Sequence, residues 1–218
     1  MKLVIWDIDG TLVDSHAVIM DSMGAGMRAA GLPTLPDRAV SAIVGLSLPV
    51  AVETLLPDAD EATRARVVDG YRAAYSAARV RNESPLFPGA RDLLGRLAAR
   101  DDVLMAVATG KSRRGLDALL AAHDLGGLFV TTQCADDHPS KPAPGMVIAC
   151  LRAAGAAAGD AVMVGDTSFD MQMAANAGVA GIGVAWGHHG PDDLRAAGAR
   201  AVAADMAGLG RLLDGVLG

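Results

Sequence analysis

A chain of 218 residues, 51% of them hydrophobic, is long enough for one full core or for a core domain that carries a smaller inserted one. The formal charge of −6, the lack of any run of five Lys or Arg residues and an aromatic content of 3% argue against nucleic acid as a partner. No apolar segment reaches the ~20 residues of a membrane span and the two cysteines lack C-x-x-C spacing, so we expect a cytoplasmic protein with reduced thiols and no membrane partner.

The first predicted element is a buried strand, "LVIW", which is followed at once by Asp7, Ile8, Asp9 and Gly10. Side chains two residues apart on a strand share a face, so Asp7 and Asp9 project together from the carboxyl end, where open α/β sheets bind ligands. Two such charges ~4 Å apart repel by about 4 kcal/mol at an effective dielectric near 20, so a cation or a shared proton is expected. Taken alone, Asp9-Gly10 is also a strong hairpin-turn signal.

Residues 15–80 carry helical patterns and no convincing strand. Helices are predicted over 15–30, ending at Gly31, and over 37–44, 49–55 and 59–79. An all-helical insertion directly after the first strand indicates a second domain. We therefore expect a core domain formed by residues 1–14 and 81–218, a helical domain at 15–80, and linkers near 13–15 and 81–88.

The rest of the chain alternates strands with helices. Apolar runs predict strands at "VLMAVA" before Thr109, "AVMVG" before Asp166 and "AGIGVAW" around Ile182, each covered on both faces as in a parallel sheet. Helical patterns lie between and beside them, over 89–100, 112–123, 144–154 and 168–177. This order predicts an α/β fold, an open parallel sheet with right-handed crossovers.

A second pair of acids follows another strand of this sheet. In "VGDTSFD", Asp166 comes directly after the strand and Asp170 one helical turn later. Asp166 alone fits a helix cap equally well, but two acidic strand ends in one sheet favour a shared site. Four aspartates with no nearby His or Cys form a hard, oxygen-rich site, which selects Mg²⁺ over zinc or copper.

Two further loops provide what an anionic ligand needs. "VATGKS" places the Thr109 hydroxyl and the amides of Gly110 and Lys111 at the start of a helix, where backbone N–H groups receive phosphate. "SKPAP" presents Lys141 before a helix, and two of the three lysines of the chain lie in these loops. "TGKS" is not a P-loop, because that motif requires glycine where Met105 stands.

Four motifs in this order, DxDGT from Asp7, Thr109 in "ATGKS", Lys141 in "SKPAP" and "GDTSFD" from Asp166, resemble those of the haloacid dehalogenase superfamily. The resemblance spans most of the chain. It implies a Rossmann-like α/β core with a helical cap domain inserted after the first strand, as in the branch that resembles phosphoglycolate phosphatase.

The resemblance also implies a role for each matching residue. Asp7 would be the nucleophile and Asp9 the general acid and base. The carboxylates of Asp7 and Asp166 and the main-chain carbonyl of Asp9 would hold Mg²⁺, with Asp170 supporting the metal shell. The remaining implied residues bind the phosphoryl group of the substrate, namely Thr109, Gly110 and Lys141, and Lys141 would also restrain Asp7.

The activity implied is a Mg²⁺-dependent phosphatase for a small phosphorylated metabolite, with 2-phosphoglycolate as the leading candidate and a monomer or homodimer as the assembly. Asp9 argues against a dehalogenase, residues 15–80 lack the cap lysine of a phosphonatase, and Leu48 stands where sugar phosphomutases usually carry Arg. A sugar phosphomutase or pyrophosphatase of the same fold, and a non-catalytic phosphate-binding module, stay open as alternatives.

Three histidines have no assigned role. His188 and His189 in "WGHHGP" could ligate a metal, but adjacent loop side chains seldom converge on one ion, so we expect them to face solvent. His16 follows the first motif at the hinge, where members of the family touch substrate, although a surface position on a helix is an equal alternative.

Overall fold

The computed structural model describes residues 1–80 and 84–218, without the side chains of residues 79 and 80. Within these residues lies a six-stranded sheet with the order β3-β2-β1-β4-β5-β6. All neighbouring strands pair in parallel, which confirms the predicted α/β class. The strands are β1 (Lys2–Trp6), β2 (Val103–Thr109), β3 (Thr131–Cys134), β4 (Ala161–Gly165), β5 (Ala180–Val184) and β6 (Ala199–Ala203).

The four predicted strands are β1, β2, β4 and β5, the continuous interior of the sheet. The two edge strands were not predicted from the sequence. β3 reads "TTQC" and β6 reads "ARAVA", and most of their residues are only half-buried, so neither forms a continuous apolar run. Because β1 pairs in parallel on both sides, Asp9-Gly10 is not a hairpin turn of the sheet, and that alternative is wrong.

Four helices lie between β1 and the next core element, and we call them the insertion. They pack around an apolar cluster of their own, which includes Met23, Met27, Val52 and Val67. The positions agree with the predicted helices to within about three residues, as is usual for helix ends. The helices are α1 (His16–Ala29), α2 (Asp37–Ser41), α3 (Leu48–Leu55) and α4 (Glu61–Val80).

Six further helices cover the sheet: α5 (Ala90–Ala98), α6 (Arg113–Ala122), α7 (Gly145–Ala154), α8 (Ser168–Asn176), α9 (Pro191–Ala196) and α10 (Met206–Leu217). Leu93, Leu116 and Leu209 pack on one face of the sheet, and Met146 and Met173 on the other. The four predicted helices are α5 to α8. The predicted linker at 81–88 starts on residues 81–83, which lie outside the described residues.

The register of the sheet aligns the carboxyl ends of its central strands. Trp6 pairs with Val107 of β2 and with Val164 of β4, and the Asp7 N–H donates to the Val164 carbonyl at 2.9 Å. The residues that follow these three strands therefore emerge side by side. None of the helices in the described part of the chain combines the length and apolar character needed to span a membrane.

Candidate active site

The aligned strand ends place three predicted site residues next to one another in the interior. Asp7 follows β1, Thr109 ends β2 and Asp166 follows β4, and each is at most 2% exposed. Burying carboxylates costs several kcal/mol per ion unless they are paired with cations or hydrogen-bonded. The surroundings of these side chains therefore decide what the site can do.

Three carboxylates and one ammonium form the centre of the site. Carboxylate oxygens of Asp7, Asp166 and Asp170 all lie within 4.8 Å of one another. Lys141, 1% exposed, places its Nζ 2.9 Å from Asp7 Oδ1 and 2.6 Å from Asp170 Oδ1. Lys141 therefore contacts Asp7 directly, as the expected restraint of Asp7 requires.

The surroundings of the Asp7 carboxyl disfavour its ionised form. Burial raises its pKa to about 7, and the charges of Asp170 and Asp166 act in the same direction, while Lys141 opposes them. With Asp7 ionised, three buried carboxylates against one ammonium leave an excess of two negative charges. A divalent cation that prefers oxygen ligands matches both this charge and these donors, so the residues fit a bound Mg²⁺.

Asp166 is held in place by groups from two other loops. The Thr11 hydroxyl donates to its Oδ1 at 2.9 Å, and the His188 N–H donates to its Oδ2 at 2.8 Å. Gly10 completes this contact, since its φ of 78° favours glycine and an added Cβ would collide with the Asp166 carboxylate. Asp166 does not cap α8; Thr167 does, with its hydroxyl accepting the Asp170 N–H at 3.3 Å.

The expected solvent-facing histidine loop is wrong for His188. Its side chain is 2% exposed and its Nδ1 lies 2.9 Å from Asp166 Oδ2. His189 also turns inward, since its Nδ1 accepts the Ser168 N–H at 3.0 Å. Gly187 lies directly against the Asp166 side chain, where an added Cβ would collide with it, and only the folded chain shows this contact. His16 is exposed, and its ring lies against that of His188 with 5.5 Å between the centroids and a tilt of 35°.

The second acid of the first motif has a partner that sequence reasoning missed. Lys111 Nζ donates to both carboxylate oxygens of Asp9 at 2.8 Å and to the Tyr75 hydroxyl at 2.6 Å. Burial raises the pKa of Asp9, but the charge and hydrogen bonds of Lys111, together with smaller contributions from Ser15 and His188, outweigh it and keep the pKa below its usual value. The Asp9 side chain thus stands apart from the three-carboxylate cluster, which leaves its main-chain carbonyl as the predicted contribution to a metal.

A cleft of about 450 Å³ lies between the insertion and the strand ends. Its floor includes Asp7, Asp9 and Thr109, and its opposite wall is formed by apolar residues of the insertion such as Ile43 and Leu46. The insertion is in contact with the rest of the chain here, because the Ser47 N–H donates to the Ser140 hydroxyl at 2.8 Å.

Gly110 is the tightest point of this contact, and Gly110→Ala is expected to lower kcat/KM at least tenfold. A Cβ at residue 110 would collide with the Gly45 carbonyl oxygen and come within 2.9 Å of that of Leu46, so the insertion must shift. A displacement of about 1 Å in a site can cost ~10²-fold in rate. Steady-state kinetics of Gly110→Ala and of a control variant, Gly95→Ala, test this. Gly95 lies on an exposed helix face with open space around it. Equal kinetics of the two variants would contradict it.

A parallel six-stranded sheet with a buried acidic cluster at its carboxyl edge and a helical insertion after β1 define a Rossmann-like α/β protein with a site that can hold a metal ion. More specifically, the family model described as haloacid dehalogenase-like hydrolase matches residues 4–184, and the chain belongs to this family. The enzyme class and the resemblance expected from the motifs are thereby confirmed.

Relatives cover most of the chain. The probable phosphatase IndB of Dickeya dadantii is 39% identical over 201 residues, which are 89% of this chain and 86% of that protein. A phosphoglycolate phosphatase of Pseudomonas syringae pv. tomato is 35% identical over 198 residues, 86% of this chain and 71% of that protein.

Solved structures share the fold. A hydrolase from Pseudomonas syringae superposes with a TM-score of 0.89 at 24% identity, with all of both chains covered. A structure described as a predicted phosphoglycolate phosphatase from Haemophilus somnus gives a TM-score of 0.86 at 22% identity over 97% of each chain. At these identities the likeness concerns the fold, and it confirms the predicted core architecture.

Proposed function

We propose that this hydrolase is a Mg²⁺-dependent phosphomonoesterase that acts on a small phosphorylated metabolite through an aspartyl-phosphate on Asp7. The observation that carries the proposal is the separation of the two acids of the first motif. Asp7 lies with Lys141 in the buried carboxylate cluster, whereas Asp9 faces the cleft and is held by Lys111. Two carboxylates in unlike surroundings suit unlike roles, one as nucleophile and one as proton carrier.

The first step transfers the phosphoryl group to the enzyme. An Asp7 carboxylate oxygen attacks phosphorus and the bond from phosphorus to the ester oxygen breaks. Asp9, which takes up a proton once substrate binding releases it from Lys111, gives that proton to the ester oxygen. In the second step Asp9 takes a proton from water, the resulting hydroxide attacks phosphorus, and inorganic phosphate leaves with the Asp7 carboxylate restored. Lys141 beside Asp7 keeps the nucleophile in one orientation.

The phosphoryl group would be held by the loops after β2 and β3. The Thr109 hydroxyl, the Gly110 amide and the Lys141 ammonium would bind its oxygens, since all three are predicted contacts at one edge of the sheet. Mg²⁺ would be held by the carboxylates of Asp7 and Asp166 and the Asp9 carbonyl, with Asp170 supporting, and when bound it would neutralise charge on the phosphoryl oxygens.

The insertion would act as a cap domain of residues 15–80 over a core of residues 1–14 and 81–218. Its separate apolar cluster and its position across the cleft support this division. Closure of such a cap excludes water from the phosphoryl group and sorts substrates by size. Relatives named phosphoglycolate phosphatase favour 2-phosphoglycolate as the substrate, the same candidate that the family resemblance implied.

Hydrolysis of p-nitrophenyl phosphate with and without Mg²⁺ tests the proposal. We expect turnover with Mg²⁺, a fall of roughly 10²-fold or more after EDTA treatment, because the metal would supply several kcal/mol of charge stabilisation, and recovery on adding Mg²⁺ back. A panel of phosphorylated metabolites ranked by kcat/KM then identifies the substrate. A folded, metal-binding protein that shows no turnover would instead support the non-catalytic phosphate-binding module.

A further inference from the structure

Lys111 is buried in the cleft where substrate must bind, and its ammonium already donates three hydrogen bonds. It is 9% exposed, and its ammonium donates to both oxygens of Asp9 and to the hydroxyl of Tyr75 from α4 of the insertion. The ammonium also lies 4.6 Å from the centroid of the Tyr75 ring. Tyr75 and Lys111 both line the cleft, so this pair bridges the insertion and the loop after β2 inside the cleft itself.

The proposed chemistry requires this arrangement to change when substrate binds. A general acid must come within hydrogen-bond reach of the oxygen it protonates, about 2.6–3.2 Å. Here both Asp9 oxygens are taken by Lys111, so at least one must be released to the ester oxygen of the substrate. The Lys111 ammonium then loses its hydrogen bond to one Asp9 oxygen, and a buried ammonium without a full set of partners is costly. An anionic group of the substrate can replace the lost oxygen.

Distances limit where this anion lies. With one Asp9 oxygen within about 3 Å of the ester oxygen, about 2.2 Å between the two oxygens of the carboxylate, and Lys111 Nζ 2.8 Å from the second oxygen, Nζ is no more than roughly 8 Å from the ester oxygen. A carboxylate oxygen of the substrate that lies between them and pairs with Nζ at about 2.8 Å is then no more than roughly 5 Å from the ester oxygen. Bonds of about 1.5 Å span that separation with one or two carbons between the ester oxygen and the carboxylate.

The rest of the cleft is less suited to this role. Arg72 and Arg114 also line it, but both are exposed, and Arg72 lies 3.9 Å from the Asp69 carboxylate. The wall opposite the strand ends contains apolar residues of the insertion such as Val44 and Leu48. Lys111 can therefore pair with a small anionic group close to the ester, whereas the apolar side chains of that wall offer no hydrogen-bond partner for a long polar group.

We propose that Lys111 is a specificity residue that selects substrates carrying a carboxylate one or two carbons away from the phosphate ester. The inference rests on the proposed phosphatase function and specifies its substrate class. Tyr75 holds the same ammonium from the insertion, so capture of the carboxylate takes place only where the insertion has closed on the strand ends.

Kinetics with two isosteric substrates test this. Wild-type enzyme is expected to prefer 2-phosphoglycolate over its neutral carboxamide analogue by about 10²-fold in kcat/KM. In Lys111→Met the preference should fall to within about threefold of unity, since the ammonium is what distinguishes the two substrates. Lys2→Met is the matched control, because it removes a lysine paired with Asp160 at the opposite edge of the sheet and should keep the preference.

Inhibition of wild-type p-nitrophenyl phosphate hydrolysis gives a second measurement that needs no variant. Glycolate should inhibit more strongly than glycolamide, and equal inhibition would overturn the assignment. A Lys111→Met enzyme that retained the preference would overturn it as well, and that result would not count against the proposed phosphatase function. A wild-type enzyme inactive on all phosphate esters with Mg²⁺ would overturn the proposed function itself, and the inference with it.

Discussion

Asp7→Asn is expected to lower kcat more than ~10³-fold while the protein stays folded. The amide cannot attack phosphorus, so covalent transfer stops. Folding should not suffer, because the neutral amide removes one member of a crowded carboxylate cluster whose mutual repulsion and burial raise the pKa of Asp7 to about 7. Lys141 retains Asp170 at 2.6 Å as its partner. We therefore expect an equal or higher Tm alongside the lost activity.

Asp9→Asn is the matched comparison, since it removes the proton carrier and leaves the nucleophile. It should lower kcat by a similar factor on an alkyl phosphate, whose leaving oxygen needs a proton. The effect of Asp9→Asn on phosphoryl transfer from p-nitrophenyl phosphate should be smaller, because p-nitrophenolate can leave without being protonated. Rapid-quench measurement of the phosphoenzyme separates the two steps. Near-normal kcat in Asp7→Asn would exclude covalent catalysis on this residue.

The strand ends were predictable because their signals are local in the sequence. A continuous apolar run that stops at an acid marks both a buried strand and its carboxyl edge, and this holds at Asp7 and at Asp166. Parallel pairing then requires neighbouring strand ends to meet, so their convergence followed from fold class alone. The roles assigned to these residues stay predictions until the variants are measured.

The contacts that were missed depend on long-range geometry with no local signature. Lys111 was noted for the rarity of lysine, yet nothing near it indicates that its ammonium reaches Asp9, 102 positions away. His188 looked like an exposed loop residue because only the folded chain brings it against Asp166. Edge strand β3 was missed for a different reason, since an edge needs no continuous apolar run.

Lys141→Met is expected to lower the free energy of unfolding in EDTA by about 3–5 kcal/mol and to lower kcat more than ~10²-fold. The side chain is 0% exposed and its ammonium contacts two carboxylates that are themselves buried. Its removal leaves Asp7, Asp166 and Asp170 with no ammonium at 3 Å or less among the described residues. A bound divalent cation supplies part of the missing charge, so the loss of stability should be smaller in saturating Mg²⁺.

Urea unfolding in EDTA and in Mg²⁺, with equal m-values required, measures this difference. Lys2→Met is again the matched control, because Lys2 and Asp160 form a partly exposed pair 2.9 Å apart. Such a pair contributes at most about 1 kcal/mol, and its loss should not respond to Mg²⁺. If Lys141→Met were as stable as wild type in EDTA, the three carboxyl groups would have to be partly protonated, and not fully ionised, in the folded protein. The cluster would then lack the negative charge on which the proposed metal site depends.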